Sequence, residues 1–191
     1  FFEELGQEVI VSGITNKRIL DGGVQETVND ACIPIKVYHG HVMDLKDRVD
    51  ILFVPRLVSA DGNSTFCPKF LGLPDMIRYS RNDLPSLLDV QYKVHRWRPS
   101  AFNFYYELGK NFTQDRFKII RAYNRARMSH NRYQALLREG FLPADALKIM
   151  EGKRVDREKN GQGEEPLKLA VLGYPYTIND PYISGNLSEN L

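Results

Sequence analysis

Cys32 and Cys67 are the only two cysteines of the chain, and each opens a proline-containing turn, Ala31-Cys32-Ile33-Pro34 and Phe66-Cys67-Pro68-Lys69. Proline suits the first turn of a helix, so each thiol is expected where a helix begins. There it meets unpaired backbone N–H groups and the positive end of the helix dipole. Both favour the thiolate, which is the form that ligates metals. The chemistry this points to is iron–sulfur ligation. A cluster normally takes four ligands, usually cysteine thiolates, so two would have to come from elsewhere. The competing reading is two small buried hydrophobes that hold no metal.

Close behind Cys32 runs Lys36-Val37-Tyr38-His39-Gly40-His41. Lys36 and His39 are three residues apart and share a helix face. Their functional reading is to tune the charge of a nearby cluster or to contact a phosphate; the plainer reading is polar packing between helices. His39 and His41, two apart on a helix, are badly placed to chelate one zinc.

The elements that must position these residues follow from the patterning. Gln7–Ser12 reads as a short buried strand, and Thr15-Asn16 as offering the cap of a helix beginning at Lys17 that Gly22-Gly23 should break. A helix over residues 35–48, with Pro34 in its first turn, carries an apolar stripe of Ile35, Val37, Tyr38, Val42 and Leu45. Val49-Asp50-Ile51-Leu52-Phe53-Val54-Pro55 is the clearest strand, near-continuously apolar as in a parallel sheet covered on both faces. The polar loop after it, residues 56–69, holds Cys67 at the edge where open α/β sheets usually bind ligands. A helix over 70–80 and a weaker strand over 87–90 follow. Helices are then predicted over 100–111, 113–139 and 142–152. The long one should face inward with Phe117, Ile120, Tyr123, Tyr133, Leu136 and Leu137.

These readings give an α/β fold class, a Rossmann-like parallel sheet flanked by helices. The expected organisation is a domain over 1–152, a polar linker over 153–166, and at 167–191 the truncated start of a second α/β lobe led by the strand Leu167–Gly173. Both ends look cut, within helices at Phe1–Leu5 and after Asp180-Pro181. Forty-two per cent hydrophobic and 26% charged residues belong to a globular chain rather than a disordered one. No apolar run is long enough to span a bilayer and no secretory signal is visible, so a cytoplasmic protein with no membrane partner is expected. The helix over 113–139 sets seven cations against Asp115 and Glu139, but the whole chain carries only +2. That argues against a nucleic-acid partner and for a solvated face. No dinucleotide fingerprint, Walker motif or nucleophile elbow is present.

Several stretches together resemble a known family: Asn29-Asp30-Ala31-Cys32-Ile33-Pro34-Ile35-Lys36, His39-Gly40-His41-Val42, Ile51–Pro55, Phe66-Cys67-Pro68, Leu71-Gly72-Leu73-Pro74 and Gly173-Tyr174-Pro175-Tyr176. The chain is similar to the uncharacterised domain that accompanies activases of 2-hydroxyacyl-CoA dehydratases. The resemblance implies a Rossmann-like protein related to dehydratase subunits, which hold an oxygen-sensitive iron–sulfur cluster with three cysteines each. Cys32 and Cys67 correspond in kind to the first two; the third is absent from this chain. The expected function is therefore a redox-associated module that binds, or derives from one that bound, a 4Fe-4S cluster, with an incomplete ligand set. The expected partners are an ATP-dependent activase or a dehydratase subunit, with an acyl-CoA as a possible ligand if an anion pocket lies beside the Cys67 loop. The alternative is a non-catalytic interaction domain that docks an activase or dehydratase. Nothing in the chain assigns a catalytic residue.

Overall fold

The computed structural model describes residues 1–59, 61–94, 100–155 and 170–187. It divides into two compact units, Phe1–Ala126 and Arg127–Leu191. The fold is mixed α/β, with small parallel sheets flanked by helices.

The first unit opens with a 3-10 turn, Glu3–Leu5, closed by Gly6 at a φ of 84°, a left-handed conformation that glycine adopts without penalty. Residues 7–12 then run on without a strand partner. The strand expected there is not formed. Asn16 caps helix α1, Lys17–Gln25, by accepting the Ile19 N–H at 3.1 Å. The break expected at Gly22-Gly23 does not occur either, because Gly23 serves packing. A Cβ on it would lie 1.7 Å from the Lys36 carbonyl of helix α2, Ile33–Leu45. A Cβ on Gly40 would lie 1.9 Å from the Ile19 carbonyl. The two backbones touch, and their close packing offsets the roughly 1 kcal/mol that an interior helical glycine costs relative to alanine. Pairing of 19 with 40 and 23 with 36 makes α1 and α2 antiparallel.

Four short strands follow: β1, Ile51–Phe53; β2, Arg56–Ser59; β3, Ser86–Leu88; and β4, Gln91–Lys93. β1 pairs with β3 and β2 with β4, both parallel. Ile51 lies opposite Ser86 and Arg56 opposite Gln91, so the register is the same in both pairs. The Val54 N–H to Leu88 O and Arg56 N–H to Val90 O bonds bridge the gap around Pro55. In effect two bent strands run side by side until a shift in register between Leu57 and Ser59. Helix α3, Pro68–Ser80, connects them and completes a βαβ unit. Leu52 and Val54 pack with Ala31, Ile35 and Val42 from one side of the chain and Leu73 and Ile77 of α3 from the other, as one buried core.

Helix α4, Ser100–Gly109, and the start of helix α5, Arg116–Arg138, complete the first unit. Leu5, Ile119 and Ala122 form a second core. The face of α5 predicted to turn inward is thus wrong at its start: Phe117 is 84% exposed and Ile120 is 38% exposed. In an otherwise polar helix the buried stripe is narrow, and Ala122 completes it as no large residue would. The second unit holds the rest of α5 and helices α6, Pro143–Met150; α7, Pro175–Asn179; and α8, Pro181–Ser184, the last capped by Asp180. Of the strand expected at Leu167–Gly173, residues 167–169 lie outside the described residues. Ala170–Gly173 form no strand, and Leu172 is exposed.

Candidate functional site

Cys32 is the N-cap residue of α2 and Cys67 that of α3, each with a proline in the following turn, and both thiols are free and exposed. Exposure overturns the reading of two buried hydrophobes. Connectivity relates the two positions. Both helices return to a strand through short links, residues 46–50 and 81–85, and links this short reverse the chain direction. α2 and α3 therefore run against the strands and start at their carboxyl edge. Ala31, next to Cys32, shares a core with Leu73 of α3. Neither thiol accepts a cap hydrogen bond from its helix.

Lys36 and His39 have separate surroundings. The Lys36 ammonium donates to the Asn29 carbonyl at 2.9 Å, bracing the turn that leads into Cys32. His39 is only 2% exposed, and neither ring nitrogen has a hydrogen-bond partner. Burial lowers its pKa, with the Glu26 carboxylate pulling the other way. It is a neutral ring in the interior rather than a surface ligand. His41 is engaged elsewhere, 3.1 Å from the Thr15 hydroxyl.

The loop before Cys67 is folded around Asp61, whose carboxylate accepts the Ser64 and Asn63 N–H groups at 2.8 and 2.9 Å. Those backbone donors, with the Ser64 hydroxyl, hold its pKa at about 2. The feature built here is a fixed negative charge, which is unsuited to the phosphates of a CoA ligand. Among the described residues no group of three or more His, Cys, Asp or Glu side chains is placed to hold a metal ion.

Two features went unread in the sequence. Arg56 bridges α3 and the strand link: it donates to both Asp75 oxygens at 2.6 and 2.9 Å and to Asp89 at 2.9 Å. Arg78 joins both carboxylates. Arg56 lowers the Asp75 pKa; burial tends to raise that of Asp89, but Arg56 and Arg78 outweigh it and hold it low. The four charges cancel, so the cluster clamps α3 to the sheet at its carboxyl half. Asp75 and Arg78 are neighbours on α3, but Arg56 lies 19 positions from Asp75 and 33 from Asp89, and no local motif marks the set. The second feature is a cleft of about 620 Å³ between residues 7–12 and β1, with Tyr38 and Leu45 on its wall. Burial raises the Tyr38 pKa.

Fold and site together define a mixed α/β domain built on one βαβ unit, with two exposed cysteines at the N-cap positions of the flanking helices. The family described as the CoA enzyme activase uncharacterised domain matches residues 1–191, and the chain belongs to that family. No curated protein and no solved structure matches it. Among the described residues no helix is long and apolar enough to cross a membrane.

Proposed function

We propose that this domain serves a CoA enzyme activase system as a thiol-presenting module, with Cys32 and Cys67 as two ligands of an iron–sulfur cluster. One observation carries the reading: both cysteines are exposed and stand at the N-cap of a helix; the short links from those helices to the strands argue for a common edge. A 4Fe-4S cluster wants about four ligands, so the residues present fit half of one. The remainder would come from an activase or dehydratase subunit. When bound, the cluster would supply one-electron chemistry. The chain's own part would be to offer two exposed thiols, each at the start of a helix. Lys36 would brace the turn that carries Cys32, and His39 would act from beneath as a neutral, apolar-facing ring. On the βαβ unit the fold is read as Rossmann-like, and a cytoplasmic, anaerobic setting is part of the proposal.

The test is anaerobic reconstitution of the full-length protein with iron and sulfide, followed by iron analysis and the thiolate-to-iron absorption band. Wild type should retain iron, and Cys32→Ser and Cys67→Ser should each lose most of it. A protein that stays colourless and iron-free, and is unchanged by Cys32→Ser, sinks the proposal. That outcome would favour a docking domain, for which the exposed Phe117 and Met128 on the arginine-rich α5 are the specific observation.

A further inference from the structure

Residues 7–12 carry the pattern of a strand, Gln-Glu-Val-Ile-Val-Ser, and yet leave it unused. Gln7 donates its N–H to the Phe2 carbonyl at 3.1 Å and Gly13 donates to Asp44 at 3.1 Å. Between them, among the described residues, no backbone hydrogen bond is made by residues 8–12. Val9 and Val11 are 46% and 76% exposed. β1 is in the complementary condition. It is paired with β3 along one edge only, and Ile51 and Phe53 are exposed. The unpaired stretch and β1 line the same cleft. Each side has main-chain donors and acceptors that lack partners, and unpaired strand edges of this kind seek pairing.

The two ends of the stretch are held. Phe2 packs edge-on against Phe53 at 5.2 Å and against Phe112 at 5.6 Å, and Lys118 donates to the Leu5 carbonyl. At the far end, Asp44 of the last turn of α2 takes Gly13 as well as Arg18 and Arg48. α2 runs against β1, so Asp44 lies toward the start of β1, while Phe53 is its last residue. The anchors therefore point the stretch antiparallel to β1. Gly6, at positive φ, and Gly13 stand at its two ends.

We propose that residues 7–12 are a strap that closes onto the free edge of β1 as an antiparallel third strand, pivoting between Gly6 and Gly13. Closure fills the cleft and pairs both edges. Of the residues on the strap, Val9 and Val11 share one face and Glu8, Ile10 and Ser12 the other. Val42, Leu52 and Val54 of the core line the opening, so the strap gates access to them. This proposal stands apart from the thiol reading, since neither cysteine lines the cleft.

The experiment is amide hydrogen exchange on the full-length protein, wild type and Ile10→Pro, near neutral pH. Closure predicts that alternate amides of 8–12, and the outward-facing amides of β1, exchange at least about tenfold more slowly than an unstructured peptide. Ile10→Pro should release both sets together and leave the amides bonded to β3 and β4 protected. Those inner amides also report whether the variant folds; should it fail to, Val11→Pro, in the exposed half of the strap, replaces it. Residues 8–12 exchanging at the unstructured rate in wild type would overturn the proposal. So would outward β1 amides that do not respond to the proline.

Discussion

At the residue scale, His39 separates the two ways of reading a polar side chain near a thiol. The sequence places it on a helix face with Lys36, but the packing of α1 on α2 puts its ring inside, with both nitrogens unpaired. A buried polar group without a partner costs roughly 1–3 kcal/mol, whereas an apolar group of similar shape is nearly neutral or stabilising. His39→Leu is therefore expected to hold or raise the unfolding free energy, by up to about 1 kcal/mol, as measured by urea denaturation. A loss of stability would mean that the ring has a partner after all. Cys32 and Cys67 behave in the opposite way. Their local turn chemistry decides their place, and nothing in the tertiary structure moves them from it.

At the scale of elements, the contact between α1 and α2 is the most demanding joint in the molecule. Gly22 and Gly23 are neighbours in one helix and look alike in the sequence, yet nothing lies within 4 Å of a Cβ on Gly22, while one on Gly23 would enter the Lys36 carbonyl. Gly23→Ala should cost about 3 kcal/mol, because backbone cannot yield as a side chain does. Gly22→Ala should instead gain about 0.5–1 kcal/mol from helix propensity and a less flexible unfolded chain. Thermal unfolding of the two variants should shift in opposite directions; equal shifts would show that the helices do not touch there. The Arg56 cluster plays a similar part for α3, joining it to the sheet through charges that lie far apart in the chain.

At the scale of the whole molecule, stability should fall on acidification in two stages. The folded-state pKa of His39 is lowered by burial. The unfolded chain therefore takes up a proton that the folded chain refuses once the pH drops below about 6.5. That contribution is complete above this value and is lost as pH falls toward the folded pKa. Asp44, Asp75 and Asp89 are also lowered, Asp44 chiefly by the Gly13 N–H and then Arg18. Their contribution is complete above the unfolded value of about 4 and disappears as pH falls through the folded pKa values. Urea midpoints should be level above about pH 7, decline gently below 6.5 and fall steeply below 4. His39→Leu should remove the upper stage alone. A profile level down to pH 4 in wild type would contradict the buried, neutral ring.

What the sequence by itself determined is whatever local chemistry decides: the two cysteines at helix starts, the cap at Thr15-Asn16, a strand through Ile51 and the places, though not the exact ends, of α2 and α3. Each rests on residues within a turn or two of one another. Tertiary structure alone decided that Gly23 continues a helix, that Phe117 faces water, that His39 is buried without a partner, and that residues 7–12 lie unpaired beside a free strand edge. In each of these cases the deciding neighbour is remote in the chain. A pattern of residue types records how apolar a position is, but not which backbone will come to lie against it.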